Sequence, residues 1–374
     1  MMVTTRNEYA PDEVSPPRET LRELLEERSM SQTELAKRMG KTLKSVNEIL
    51  SDSADVAITP DTALQLERTL GLPASFWLKR EQAYQEVKAR KREREQRQRE
   101  IGWLDSLPLR DLRRRGYLSM PRRSPEAVRE ALSFFGVASV ECWNLFWSRA
   151  EVDYRMSGAF ASEVGHLAAW LRCGELEAQK ISCDPYDPKT FETALRQIRK
   201  LTTAPVEEIH KGIVTNCAEA GVAAVFVAEF PKTHLSGAAR WICGGRRPVI
   251  QLSLRHKTDD HLWFTFFHEA CHILRHGKKG IYVDDKRPEG ARIEQEANHF
   301  ARSILIPEGE YSTFIRDREK FYPEDIQKFA RAVGIAPGLV VGRLQFDGFL
   351  DRKFCNHLKR RFEFGAGNTL LESL

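Results

Sequence analysis

Along most of the chain, apolar positions recur at helical spacing. In LRELLEERSM, Leu21, Leu24 and Leu25 fall on one face. SQTELAKRMG opens with a capping box: Ser31 can cap the helix and Glu34 can return the bond, and Gly40 closes it. TLKSVNEIL restarts a helix after a very short turn, and TPDTALQLERTLG begins with Thr59 as cap and Pro60 at the first helical position. Residues 79–100 are mostly charged and contain no Gly or Pro, so they read as a solvated helix or linker. Helices continue from about Trp103 to Leu201, with a start at Ser124-Pro125-Glu126. The pattern then changes. GVAAVFVAEFP and PVIQLSL are short, β-branched and bounded by Gly or Pro, as strands are. FTFFHEACHILRHG and RIEQEANHFARSILIP return to helix, the latter stopped near Pro307, and residues 313–374 read as helical and basic.

Composition narrows the class. With 374 residues, 30% charged and 41% hydrophobic, the chain is expected to form two or three ordinary globular domains. No run approaches the roughly 18 apolar residues of a membrane span, and the N-terminus has no apolar signal-peptide core. Seven cysteines without CxxC spacing fit a reducing, cytoplasmic setting and disfavour a disulfide framework or a Cys-rich zinc site. The net charge of +5 permits nucleic-acid binding without establishing it.

The chemistry concentrates in FTFFHEACHILRHG. Residues four apart share a helix face, so His268 and His272 can aim two imidazoles at one metal, with Glu269 beside them to handle a water proton. A lone histidine on an apolar helix is usually a packing residue, but this pattern is harder to obtain by chance. Phe264, Phe267, Cys271 and Leu274 would bury the helix and dry the site. Catalytic zinc usually takes a third protein ligand. Glu294 shares a helix face with Asn298, Ala301 and Leu305, and Glu296 lies on the other flank, so spacing leaves both open. His276, His299 and Tyr311 are candidate donors to an oxyanion, each more readily read as an ordinary surface or packing residue.

Together, FTFFHEACHILRHGKK and EQEANHFARSILIP resemble the ImmA/IrrE family of metallopeptidases, and the similarity extends over about Val206 to Phe364. The resemblance implies that Glu294 is the third ligand of Zn2+, that Glu269 is the general base, and that the substrate is a protein such as a repressor or antitoxin. Cys271 departs from the family, where glycine is common, and it places a thiol beside the candidate metal; it reads as a packed residue before it reads as a redox group.

The N-terminal helices carry a second pattern. Ala36, Gly40, Val46, Ile49 and Leu50 have the spacing of a helix-turn-helix, whose second helix enters the major groove. About residues 17–86 resemble HigA-type antitoxins of the XRE group. By that likeness Gln32 and Thr42 would touch phosphates, and Lys44, Ser45 and Asn47 would reach base edges. The loop SDSADVA departs from it, because Asp52 and Asp55 near phosphates would weaken binding. A bundle that only dimerises or docks a partner is the plainer reading. In the tail, Ala330, Gly334, Val340 and Leu344 repeat the spacing, which suggests a helical cover for the core rather than a second reader.

The expected fold is therefore mainly α with a small β-sheet (α+β): a helix-turn-helix bundle plus a zincin-like domain. The expected divisions are a disordered segment 1–17, the helix-turn-helix 18–80, a charged helical linker 81–102, a helical connector 103–205, the peptidase core 206–312 and a helical basic subdomain 313–374. The expected function is a DNA-binding regulator, acting as a homodimer at a promoter without a membrane, whose zinc endopeptidase domain cleaves a repressor or antitoxin-type protein. The alternative is an autorepressor or antitoxin whose peptidase fold is a sensor or scaffold.

Overall fold

The computed structural model describes residues 14–54, 56–154, 161–231, 233, 235–277, 281–282, 288–316 and 318–373. They divide into two compact units, the first ending at Ile101 and the second beginning at Gly102, with residues 124–126 grouped with the first. Residues 1–13, most of the segment expected to be disordered, lie outside the described residues.

The first unit is α-helical: α1 Pro17–Glu27, α2 Gln32–Met39, α3 Leu43–Leu50, α4 Pro60–Leu70 and α5 Ala74–Arg99. Local chemistry sets the boundaries. Ser31 caps α2 by accepting from the Glu34 N–H at 3.2 Å, but the Glu34 carboxylate turns to Arg38, 2.5 Å away, so an ion pair replaces the expected return bond. Gly40 ends α2 at φ 67°, a left-handed conformation that glycine adopts without steric cost. Thr42 caps α3, and Thr59 with Pro60 starts α4. Leu21, Leu35, Val46, Leu66 and Trp77 are buried together in the core. The charged segment is the continuation of α5, so the expected boundary at 80/81 falls inside one 26-residue helix.

The second unit begins with helices α6 Leu109–Arg114, α7 Pro125–Phe135, α8 Val140–Tyr154, α9 Ala161–Lys180, α10 Pro188–Lys200 and α11 Val206–Glu219. Strands β1 Ala223–Phe226, β2 Gly237–Ile242 and β3 Arg247–Leu252 follow. Next come α12 Asp259–Arg275, β4 Ile281–Tyr282, α13 Pro288–Leu305, α14 Glu308–Ile315, α15 Pro323–Val333 and α16 Pro337–Phe346. The sheet is mixed, ordered β1-β3-β2-β4, with β1 parallel to β3 and the other pairs antiparallel. Its two faces are read off β3. Gln251 turns to α9, where its amide donates to the Trp170 carbonyl at 2.8 Å. Gly174 permits that approach, since a Cβ there would stand 1.9 Å from Gln251 Oε1. Ile250 and Leu252 join the opposite core with Trp263, Phe266 and Phe267 of α12. Helix α9 of the segment expected to be a helical connector thus covers one face of the sheet, and residues 102–123 and 127–374 form one compact unit.

The tail differs from its expected helical form beyond α16. Residues Phe362–Phe364 and Leu370–Glu372 form an antiparallel pair, β5–β6. Phe362 and Leu370 are buried, while Glu363, Leu371 and Glu372 are exposed. This hairpin fixes the start of α12. The N–H of Asp259 donates to the Arg360 carbonyl at 3.0 Å, and the N–H of Phe362 to that of Lys257 at 2.8 Å. The connection into α12 is strained, with Leu254 and Lys257 both at left-handed φ, 58° and 57°. The α15–Gly334–α16 unit does repeat the N-terminal spacing, but α16 lies against α12 and buries Val340 and Leu344. Gly338 and Gly342 make the approach possible, because a Cβ on either would stand about 2.4–2.5 Å from the carboxylate oxygens of Asp259 and Asp260.

Candidate functional site

Helices α12 and α13 pack along one another and bring three of the four predicted metal-site residues together. The Nε2 atoms of His268 and His272, one turn apart, are 3.1 Å from each other. Glu294 reaches them from α13, with Oε2 3.0 Å from His268 Nε2 and Oε1 3.4 Å from His272 Nε2. Among the described residues, these three form the group of ligating side chains that converges tightly enough to hold an ion. The donor set fits zinc: tetrahedral ligands about 2.0–2.1 Å from the ion sit roughly 3.3 Å apart. Glu294 Oε1 is also buried with no hydrogen-bond donor among the described residues, and a buried carboxylate oxygen calls for a cation or a donor.

The surroundings orient both imidazoles. His268 Nδ1 lies 3.1 Å from Asn298 Oδ1, which can only accept, so Nδ1 carries the proton and Nε2 is left for a metal. His272 Nδ1 faces His276 Nδ1 at 2.9 Å, and His276 Nε2 faces Glu296 Oε2 at 3.3 Å. Glu296 therefore stands at the outer end of a chain of donors, where Arg275 also meets it at 3.0 Å. Burial opposes protonation of His268, but the bond to Glu294 and the charges of Glu269 and Glu294 outweigh it and raise its pKa. His272 is pushed down to about 2 by burial, with His268 and His276 acting in the same direction.

Glu269 is buried beside this group at 6% exposure. Gly237, the first residue of β2, lets it sit there: a Cβ at that position would be 2.9 Å from Glu269 Cγ and Oε1, and 2.6 Å from Thr265 Cγ2. Cys271 is fully buried, and burial pushes its thiol up to about 12, so it is a packed neutral residue. Of the candidate oxyanion donors, His276 is engaged with His272, and Tyr311 is buried and donates to Asp347 at 2.9 Å. His299 is exposed beside Ser303, at 3.4 Å.

On the N-terminal unit, Gln32 is exposed at the start of α2. Thr42 Oγ1 accepts from the Ser45 N–H at 3.1 Å and lies 2.9 Å from Ser45 Oγ, so these two side chains hold the start of α3. Lys44 and Asn47 project outward from α3 next to exposed Leu43 and Glu48. Lys44 is 86% exposed at its side chain. Asp52 is paired within the unit. Arg22 and Arg18 of α1 hold its carboxyl below the usual range, at 3.1 and 2.9 Å. Asp55 lies outside the described residues.

Residues 21–77 match a family model described as a helix-turn-helix, and residues 219–345 match one described as an IrrE N-terminal-like domain, a peptidase family. The chain joins a helix-turn-helix domain to an IrrE-like peptidase domain. No curated protein and no solved structure matches it. The IrrE-like match takes in β2, α12 and α13, and so every residue of the converging group. Among the described residues, no helix is long and apolar enough to cross a membrane.

Sequence reasoning missed Gly237, Asn298, the His276–Glu296 chain and the Arg18–Arg22 clamp as functional parts. Asn298 had a signal, since it stands one turn after Glu294 and shares its face. Gly237 yields a direct test of the IrrE-like domain. Gly237→Ala is expected to keep zinc content nearly unchanged and lower the melting temperature by a few degrees, while displacing Glu269 and so lowering peptide cleavage by up to roughly 100-fold. Metal analysis beside a steady-state assay checks this; native cleavage by the variant would show that the close approach is irrelevant to the reaction.

Proposed function

We propose that the chain is a DNA-binding regulator whose IrrE-like domain is a zinc endopeptidase of narrow specificity, acting on a repressor or antitoxin-type protein, and that it engages an operator as a homodimer. The observation that carries this reading is the convergence of His268, His272 and Glu294 within 3.4 Å of one another, with buried Glu269 at the same turn of α12.

In this reading His268, His272 and Glu294 hold the ion. Bound zinc supplies Lewis acidity that lowers the pKa of water and polarises a peptide carbonyl. Glu269 accepts the proton of the attacking water and passes it to the leaving amine. Gly237 keeps the space that Glu269 needs, and Asn298 and His276 hold the two imidazoles in the tautomers that leave Nε2 available. Phe266, Phe267 and Trp263 are buried under the same helix and keep it rigid. In the helix-turn-helix domain, Lys44 and Asn47 are the side chains of α3 best exposed to meet base edges, and Gln32 meets phosphate. Thr42 and Ser45, which bond each other, act at the backbone through the helix start they hold.

The test is metal analysis of the purified protein beside His268→Ala, followed by identification of shortened proteins in cells expressing each. About one zinc per chain is expected in the native form and none in the variant. A cellular protein cleaved only with the native form would be the substrate. A native protein that neither retains nor takes up zinc would sink the reading.

A further inference from the structure

Next to the metal-site candidates, a cavity of about 570 Å³ opens between α12, α13 and α16. That volume is within the range of about 300–1,000 Å³ usual for ligand sites. It borders the centre directly. Phe264 stands one turn before His268, and Asn298 bonds His268; both line the cavity. Its floor is apolar, with Phe264, Leu305, Ile306 and Leu339.

The charge of its lining is one-sided. Asp260 is the acidic residue in the wall, and Lys359 already neutralises it at 2.7 Å, with both side chains 10% exposed. Arg343 is matched by Asp347 at 2.5 Å. Arg302 and Arg352 remain, and neither has a carboxylate partner among the described residues. Arg302 is held in place by stacking over Phe346, 4.3 Å from the ring centroid, and Phe346 is itself 67% exposed at the cavity's edge. His256 and His261 stack on each other at 4.0 Å. Burial lowers the pKa of both, so they add polar surface and little charge.

An apolar floor with two uncompensated guanidinium groups at the edge selects an occupant with apolar bulk and negative charge. Guanidinium pairs carboxylates bidentately, and more strongly in a partly dried site. We propose that this cavity is the substrate subsite flanking the scissile bond, and that it takes an acidic peptide segment: a large apolar side chain on the Phe264–Leu305–Leu339 floor and an adjacent Asp or Glu against Arg302 and Arg352. The proposal rests on reading the neighbouring centre as a peptidase. It makes α16 and the tail part of substrate recognition, because Leu339, Phe346 and Arg352 all come from there.

The test uses full-length Glu269→Gln protein loaded with zinc and fluorescent positional-scanning peptides, read by anisotropy. Peptides pairing a large apolar residue with Asp or Glu should bind at least tenfold more tightly than those with Lys in place of the acid. Arg352→Glu, at an exposed position, should lose that preference. Arg302→Glu/Arg352→Glu should invert it toward the Lys peptides, a gain that misfolding could not produce. Equal binding of acidic, neutral and Lys peptides, an unchanged preference in the double variant, or no peptide binding would each overturn the subsite. The native enzyme separates the two ideas. Binding with acidic preference but no hydrolysis of any peptide would remove the peptidase reading alone, and hydrolysis indifferent to acidic residues would remove the subsite alone.

Discussion

Glu269→Gln is expected to retain zinc and lose cleavage by about 10²–10⁴-fold, the usual contribution of a positioned general base. His272→Ala is expected to lose both. The separation follows from geometry. His268, His272 and Glu294 point donor atoms at one another within 3.4 Å, whereas Glu269 turns to Gly237 at the start of β2. Removing a ligand removes the ion, while replacing the carboxylate of Glu269 by an amide of the same shape removes only the proton acceptor. The two acidic residues of α13 supply an internal control. Glu294→Gln should reduce zinc content, and Glu296→Gln should not, because Glu296 is exposed and meets Arg275 and His276 at 3.0 and 3.3 Å. Metal content per chain and cleavage of the identified substrate, measured on the four variants together, decide the matter. Zinc lost from Glu296→Gln and kept by Glu294→Gln would reverse the ligand assignment. Full regulatory activity of Glu269→Gln in cells would favour a scaffold that needs no proteolysis.

Some of this was legible in the sequence because it depends on one element alone. The i, i+4 spacing of His268 and His272 is a property of any helix, and so is the neighbouring position of Glu269. The caps at Ser31 and Thr59 and the stop at Gly40 also belong to single turns. What depended on the meeting of two elements was not legible. The choice between Glu294 and Glu296 turns on how α13 is rotated against α12, and spacing left it open until the family resemblance pointed to Glu294. Gly237 acquires its meaning only when β2 approaches a side chain 32 positions further on. The ion pairs of Asp52 were hidden because its partners, Arg18 and Arg22, are at least 30 positions earlier. The β5–β6 hairpin was hidden for another reason: strands of three residues are too short to display their period among so many basic side chains.

Asn47→Ala is expected to weaken binding to a selected operator by roughly five- to a hundredfold, since one good bidentate contact to a base is worth about 1–3 kcal/mol. Binding to unrelated duplex DNA should hardly change. The argument begins with α3. Val46, Ile49 and Leu50 are buried against the other helices, so the opposite face, with Lys44 and Asn47, is the one presented outward. The Thr42–Ser45 cap fixes where α3 starts and hence the register of that face. In the loop that follows, Arg22 and Arg18 pair with Asp52 and offset part of its charge toward a duplex. Arg22 also donates to the Leu50 carbonyl at the end of α3, which ties the recognition face to α1. Full-length protein can select its site from a random duplex pool, after which affinities of native, Asn47→Ala and Lys44→Ala proteins are compared over a range of salt. If Lys44 contacts phosphate in place of a base, Lys44→Ala should weaken all sequences alike and reduce the salt slope by about one. If Asn47→Ala selects the same sequence with native affinity, α3 is not the reading helix, and the basic tail becomes the surface to test.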